Sequence, residues 1–127
     1  MILIIGGYAQ GRLAYVMENY NLKMDDVFNL KEEEFSYWNG QKIIYNAESL
    51  VTKWLREEKN PCKEIEIILP ELKDTIVITQ EVGCGLVPIT AEQRLWREEV
   101  GRFNIYLAKN SETVIRVCCG LGMKIKS

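Results

Sequence analysis

Four consecutive aliphatic residues, Ile2-Leu3-Ile4-Ile5, run straight into a glycine pair, Gly6-Gly7. A strand that is apolar on both faces must be covered on both faces, and that burial belongs to a parallel sheet lying between helices. Gly11 closes the glycine turn. The stretch from Gly11 to about Tyr20 then places Leu13, Val16 and Met17 on one helical face. Buried strand, glycine-bracketed turn and helix in this order commit the start of the chain to an α/β unit.

The same alternation continues. A short strand is expected around Val27-Phe28, and a helical turn and loop over Lys31–Gly40. Lys42–Tyr45 reads as a second apolar strand. Ala47–Glu58 reads as a helix with Leu50, Val51, Trp54 and Leu55 on one stripe and Asn46 in the capping position. Asn60-Pro61 opens another helix, Asn as cap and Pro at its first position, with Ile65, Ile68, Leu69 and Leu72 facing inward and Pro70 ending it. Thr75–Thr79 is a β-branched strand, and Gln80–Pro88 a glycine-containing loop. Thr90 and Gln93 form a capping box for a long helix to about Lys109, with Trp96, Val100, Phe103 and Leu107 as its core stripe. Thr113–Cys119 is a further strand, Gly120 and Gly122 a turn, and Met123–Lys126 a closing strand. The chain of 127 residues is expected to be one α/β domain, residues 1–127, with a mostly parallel sheet and helices on both faces.

Composition narrows the function classes. The formal net charge is −2, so no basic excess exists to follow a nucleic-acid backbone. No apolar run reaches the length of a membrane span. Met1–Ile5 lacks the charged flank of a signal peptide, so a cytoplasmic protein is expected, with neither nucleic-acid nor membrane partners. The four cysteines, Cys62, Cys84, Cys118 and Cys119, include no C-x-x-C pair and read as small buried hydrophobes. Cys118 and Cys119, adjacent in a strand, are expected on opposite faces. The chain contains no histidine, which removes every mechanism in which it would supply an imidazole base, nucleophile or ligand.

Gly6-Gly7-Tyr8-Ala9-Gln10-Gly11-Arg12 is the candidate nucleotide-binding segment. Gly6 and Gly11 have the G-x-x-x-x-G spacing of a phosphate loop, whose backbone N–H groups cradle phosphate oxygens at a helix N-terminus. Arg12 stands where lysine should, and Leu13 where a magnesium-binding hydroxyl should. Arg12 retains a cation with a planar fork; Leu13 cannot ligate a metal. In such sheets ligands bind beyond the carboxyl ends of the strands. Glu81, just after a strand, is a candidate catalytic carboxylate, or else a holder of the Gly83–Gly85 turn.

The second half carries a resemblance. Thr75–Thr79 leads into Gln80-Glu81-Val82-Gly83-Cys84-Gly85-Leu86-Val87-Pro88. Gly101-Arg102-Phe103-Asn104 and Leu107-Ala108 follow, and Gly120-Leu121-Gly122-Met123-Lys124-Ile125-Lys126 closes the chain. This order resembles the adenosylcobinamide kinase / adenosylcobinamide-phosphate guanylyltransferase family of cobalamin biosynthesis. Its pattern is a strand, N-E-V-G-x-G-[IL]-V-P, a helix with G-x-x-N-x-x-[LI]-A, and a G-[IL]-x-x-K-[IL]-K ending.

The resemblance covers Met1 to about Tyr20 and Lys42 to Ser127. It implies a P-loop NTPase-like (RecA-like) fold, here truncated, GTP or ATP as nucleotide, a corrinoid precursor as substrate, and homo-oligomers. Departures point one way. The family's Lys-Ser pair is Arg12-Leu13, its metal-side aspartate is Asn46, the guanylylated histidine is absent, and Asp25–Lys42 does not align. Asn46 is thus the candidate metal-side residue, and Glu48 a candidate replacement carboxylate. Magnesium is doubtful on this reading. The expectation is a divergent, catalytically impaired pseudoenzyme that retains nucleotide or phosphate binding. The alternatives are a small kinase with a rebuilt metal site and a non-catalytic oligomeric assembly module.

Overall fold

The structure, a computed structural model, describes residues 1–82 and 90–127. The glycine turn expected at Gly83–Gly85, with Cys84 and Pro88, lies outside the described residues. Ten regular elements follow in order: β1 Ile2–Gly6, α1 Arg12–Asn19, β2 Val27–Asn29, β3 Ile43–Tyr45, α2 Ser49–Arg56, α3 Pro61–Ile68, β4 Ile76–Gln80, α4 Ala91–Lys109, β5 Thr113–Cys118 and β6 Leu121–Lys126. The strands form one sheet in the order β2-β3-β4-β1-β5-β6. All neighbours are parallel except β6, which runs antiparallel to β5 at one edge. This is the mostly parallel α/β architecture, P-loop NTPase-like in class, that the sequence implies.

β1 sits at the centre because its apolar run can be buried nowhere else. Ile4 pairs with Ile78 of β4 on one side and with Ile115 of β5 on the other. Its side chains alternate between two cores, as strand geometry requires. Leu3 and Ile5 pack with Leu50, Val51 and Trp54 of α2, Ile65 of α3 and Val100, Phe103 and Leu107 of α4. Ile2 and Ile4 pack with Leu13, Tyr15, Val16 and Met17 of α1. One helix therefore covers one face and three cover the other. No helix among the described residues is long and apolar enough to cross a membrane.

Two helix starts match their sequence signals. The Asn60 side chain accepts from the Cys62 and Lys63 N–H groups, with Pro61 in the first turn. Thr90 and Gln93 close a reciprocal capping box at α4. A third start differs. Asn46 does not cap α2, which begins at Ser49 behind Glu48. Asn46 instead has a left-handed φ of 60°, and its Nδ2 donates to Asn29 Oδ1 at 2.8 Å. Short amide side chains suit both a cap and the left-handed region, so the sequence alone does not separate the two uses.

The chain's end differs too. β5 stops at Cys118, the turn is Cys119-Gly120, and Gly122 lies inside β6. Cys119 is not in a strand and its φ is 53°, so the strand alternation that would send the two side chains to opposite faces stops at Cys118. Cys118 and Cys119 are exposed and Cys62 half-buried, so these three are not core hydrophobes. Gly122 lies where a β-carbon would collide with the Tyr15 ring of α1.

Asn104, the asparagine of the G-x-x-N stretch, fastens α4 to the carboxyl end of β4. Its Oδ1 accepts from Thr79 Oγ1 at 2.8 Å, and its Nδ2 donates to the Gln80 carbonyl at 2.9 Å. Thr79 is completely buried, so loss of this acceptor leaves a hydroxyl with nothing to replace it. Asn104→Ala is expected to destabilise the fold by about 2–3 kcal/mol, measured as a lowered midpoint in urea unfolding with an unchanged slope.

Candidate functional site

The crevice lies beyond the carboxyl ends of β1, β3 and β4, and the glycine loop forms its floor. A β-carbon on Gly6 would lie 2.5 Å from the Val117 carbonyl oxygen and 3.3 Å from Cγ and Cδ of Arg12. Gly6 is therefore required by the close approach of β5 on one side and the Arg12 stem on the other. Gly11 turns the chain into α1 with a φ of 80°. Among the described residues, the backbone N–H groups of residues 7–11 donate to no backbone carbonyl. The loop is held instead through its acceptors. The Gly6 carbonyl accepts from Glu81 N–H at 2.7 Å, and the Gln10 carbonyl accepts from Gly120 N–H at 2.8 Å. The Gln10 side chain accepts a further bond from Cys119 N–H at 2.7 Å.

Arg12 is the least expected member. A cation after a glycine loop reads as solvent-facing, yet Arg12 is only 6% exposed. Its stem lies on Gly6, and among the described residues its Nη1 has no hydrogen-bond partner. Glu48, 3% exposed, shares the crevice. Its Oε1 accepts from Gln80 N–H at 3.0 Å, while Oε2 has no partner. Burial pushes the Glu48 carboxyl above its ordinary range. Its own backbone N–H, the charge of Arg12, the Gln80 N–H and the charge of Lys31 oppose that rise without cancelling it.

The structure thus brings together Arg12 and Glu48, two buried groups that each keep one polar atom unsatisfied. Such atoms are costly in a closed interior, which makes them the strongest marks of a place meant for a ligand. Asn46 is beside them but already engaged with Asn29, whose Oδ1 also accepts from Lys31 N–H at 3.0 Å. Among the described residues Leu13 offers no oxygen, Asn46 spends its Nδ2 on Asn29, and the guanidinium charge of Arg12 acts on Glu48. Among the described residues no group of three or more acidic or cysteine side chains could hold a metal ion. A cation and a set of unengaged N–H groups fit an anion.

Glu81 is turned to other work. Arg116 of β5 donates from Nε to Glu81 Oε2 at 3.0 Å. With Gly7, Tyr8, Gln10 and Cys118 these two residues line a hollow of about 220 Å³ on the β5 side of the loop. Tyr8 and Ala9 are exposed at the loop's tip. Sequence reasoning named Glu81 but missed Arg116, although a lone arginine among the aliphatic residues of β5 was a signal of an internal partner. It also missed Asn29 and the double role of Gln10, for which no local pattern exists.

Residues 34–125 match the family described as cobinamide kinase / cobinamide phosphate guanyltransferase. The matched region begins after the glycine loop and includes Asn46, Glu48, Glu81 and Asn104. The bifunctional adenosylcobalamin biosynthesis protein CobU of Salmonella typhimurium is 36% identical over 67 residues, 50% of this chain and 37% of that protein. The protein of the same name from Escherichia coli is 41% identical over 51 residues, 40% of this chain and 28% of that protein. The aligned stretch spans well under half the length of either relative. A match across most of the chain, carried on a mostly parallel α/β sheet, settles its kinship: the chain belongs to the cobinamide kinase / cobinamide phosphate guanyltransferase family.

Proposed function

We propose that this protein is a divergent, catalytically impaired relative of the cobalamin-biosynthesis kinase/guanyltransferases that retains a nucleotide or phosphate site at its glycine loop. One observation carries the reading: among the described residues Arg12 Nη1 is buried without a partner and the N–H groups of residues 7–11 donate to no backbone carbonyl, where the phosphates of GTP or ATP would lie. On this reading Gly7–Gly11 cradle phosphate oxygens through their backbone, and Arg12 reaches the same anion with its planar fork. Glu48, through Gln80 N–H, keeps the floor of the crevice in place. Guanylyl transfer through a histidine is outside this chain's reach, since it has none. A corrinoid precursor is the substrate class to which the relatives' names point, and the pseudoenzyme would bind rather than convert it.

β6 supports an additional property, self-association. Leu121, Met123 and Ile125 alternate along this edge strand and are all well exposed. Sedimentation velocity should find an oligomer, and Met123→Lys should shift it toward monomer.

The binding reading is tested by isothermal titration with GTP and ATP, each with and without magnesium. Binding that is independent of magnesium is expected. Arg12→Met should weaken it by about tenfold to a hundredfold, while Arg12→Lys, which keeps the charge but not the fork, should lose less. Affinity that rises steeply with magnesium would favour an active kinase with a rebuilt metal site. Absence of heat under every condition would reduce the loop to a turn.

Glu48 gives a second check. Its folded-state carboxyl holds a proton more tightly than the unfolded chain's, so stability is greatest below the unfolded value, near 4.5, and falls as pH rises through the higher folded value. Glu48→Gln removes this dependence. The stability difference should therefore move in the variant's favour as pH rises from 4.5, by at most about 1.4 kcal/mol per pH unit. Thermal unfolding of both proteins from acid to neutral pH measures it.

A further inference from the structure

The turn between β5 and β6 is two residues long, since Cys118 pairs with Leu121 and only Cys119 and Gly120 intervene. Both have positive φ, 53° and 75°. That is the signature of a tight hairpin turn in which Asn, Asp or Gly suits the first position and Gly the second. Gly120 fits. Cys119 does not, because a side chain in the left-handed region costs about 1 kcal/mol and a thiol gains little from it. Turn geometry therefore gives no reason for cysteine here.

The surroundings do. Cys118 and Cys119 are both exposed, and the Cys118 thiol is near enough to act on the Cys119 thiol. That contact is also what raises the Cys119 thiol above its ordinary range. The left-handed turn is what allows it, because consecutive residues of a continuing strand would send their sulfurs to opposite sides. The same two turn residues hold the glycine loop: Cys119 N–H donates to Gln10 Oε1, and Gly120 N–H to the Gln10 carbonyl. Gly11 lies against Gly120 so closely that a β-carbon on it would be 3.4 Å from the Gly120 Cα. Cys118 meanwhile lines the hollow with Gly7, Tyr8 and Gln10.

We infer that Cys118 and Cys119 form a dithiol modification site, oxidised by small-molecule disulfides to an intramolecular disulfide that releases the glycine loop from the β5–β6 turn. The chemistry is thiol–disulfide exchange. One cysteine thiolate attacks glutathione disulfide, forms a mixed disulfide and expels one glutathione thiolate. The neighbouring thiolate then attacks the protein sulfur of that mixed disulfide and expels the second. The protein loses two electrons and two protons, and one glutathione disulfide becomes two glutathione thiols. The new bond closes a small ring through the Cys118–Cys119 peptide. Closing that ring turns the Cys118–Cys119 peptide and draws the Cys119 N–H off Gln10.

The site is independent of what the crevice binds, so its test needs no nucleotide. The protein is incubated with glutathione disulfide, then analysed by intact mass, peptide mapping and amide hydrogen exchange. The expected product has lost two hydrogens, carries no glutathione and maps to Cys118–Cys119. Exchange of the Cys119 and Gly120 amides, and of the peptide spanning Gln10, should accelerate at least tenfold. Cys119→Asn keeps a residue suited to the turn and removes the thiol. It should fold, keep the loop protected and form no disulfide there. A persistent glutathione adduct on Cys118 or Cys119, a bond involving Cys62 or Cys84 instead, or a closed Cys118–Cys119 bond with unchanged exchange around Gln10 would each overturn the proposal.

Discussion

Everything near the crevice depends on how closely β1 and β5 approach at Gly6. The Val117 carbonyl and the Arg12 stem occupy the space a β-carbon would need. That contact fixes where β1 ends, aims the loop across the strand ends and turns Arg12 inward rather than toward solvent. An inward guanidinium then changes the character of the site. It places a permanent charge among buried groups, and Glu48, drawn down toward ionisation by Arg12 and Lys31 but held up by burial, is its natural counterpart. Neither group satisfies the other fully, and the unsatisfied atoms point to a third participant.

The two halves of the crevice have different characters. On the β3–β4 side, Asn29, Asn46, Glu48 and Gln80 form a chain of hydrogen bonds and electrostatic contacts with the Arg12 and Lys31 charges acting upon it. On the β5 side, Glu81 is neutralised by Arg116 and the loop is tied down through Gln10. A family scaffold can keep such a frame while its chemistry changes, since fold and catalysis rest on different residues. Asn104 illustrates the first kind. It touches no candidate ligand atom and instead sets the path by which the chain leaves β4 toward Glu81.

Much of this frame was legible in the sequence. Apolar runs located β1 and β4, and the capping residues Asn60 and Thr90 located two helix starts, because these features depend on neighbours a few residues away. The misreadings share a cause. Asn46 could cap a helix or adopt a left-handed turn, and only its pairing with Asn29 of β2 decides. Cys119 looked like the next strand residue until the antiparallel partner fixed the turn. The region from Asp25 to Lys42 lacks periodicity because it is held by irregular contacts, such as the Phe35–Trp38 stack at 5.6 Å and the bond from Trp38 Nε1 to the Gln41 carbonyl. Arg12 was legible as a cation but not as a buried one, since its stem lies on Gly6, whose other approach is closed by Val117 of β5, more than a hundred residues away.

That distance has a consequence for how the molecule is made. Gln10 belongs to the loop after β1, and its partners Cys119 and Gly120 to the β5–β6 turn, 109 residues later for the side-chain bond. Contacts of such separation form late, after the intervening chain has been ordered. A nascent polypeptide emerging from the ribosome can pair β1 with β4 and dock α1 while the glycine loop still lacks its anchor. The crevice is therefore finished only when the β5–β6 hairpin arrives, and a loop synthesised early is among the last to be set.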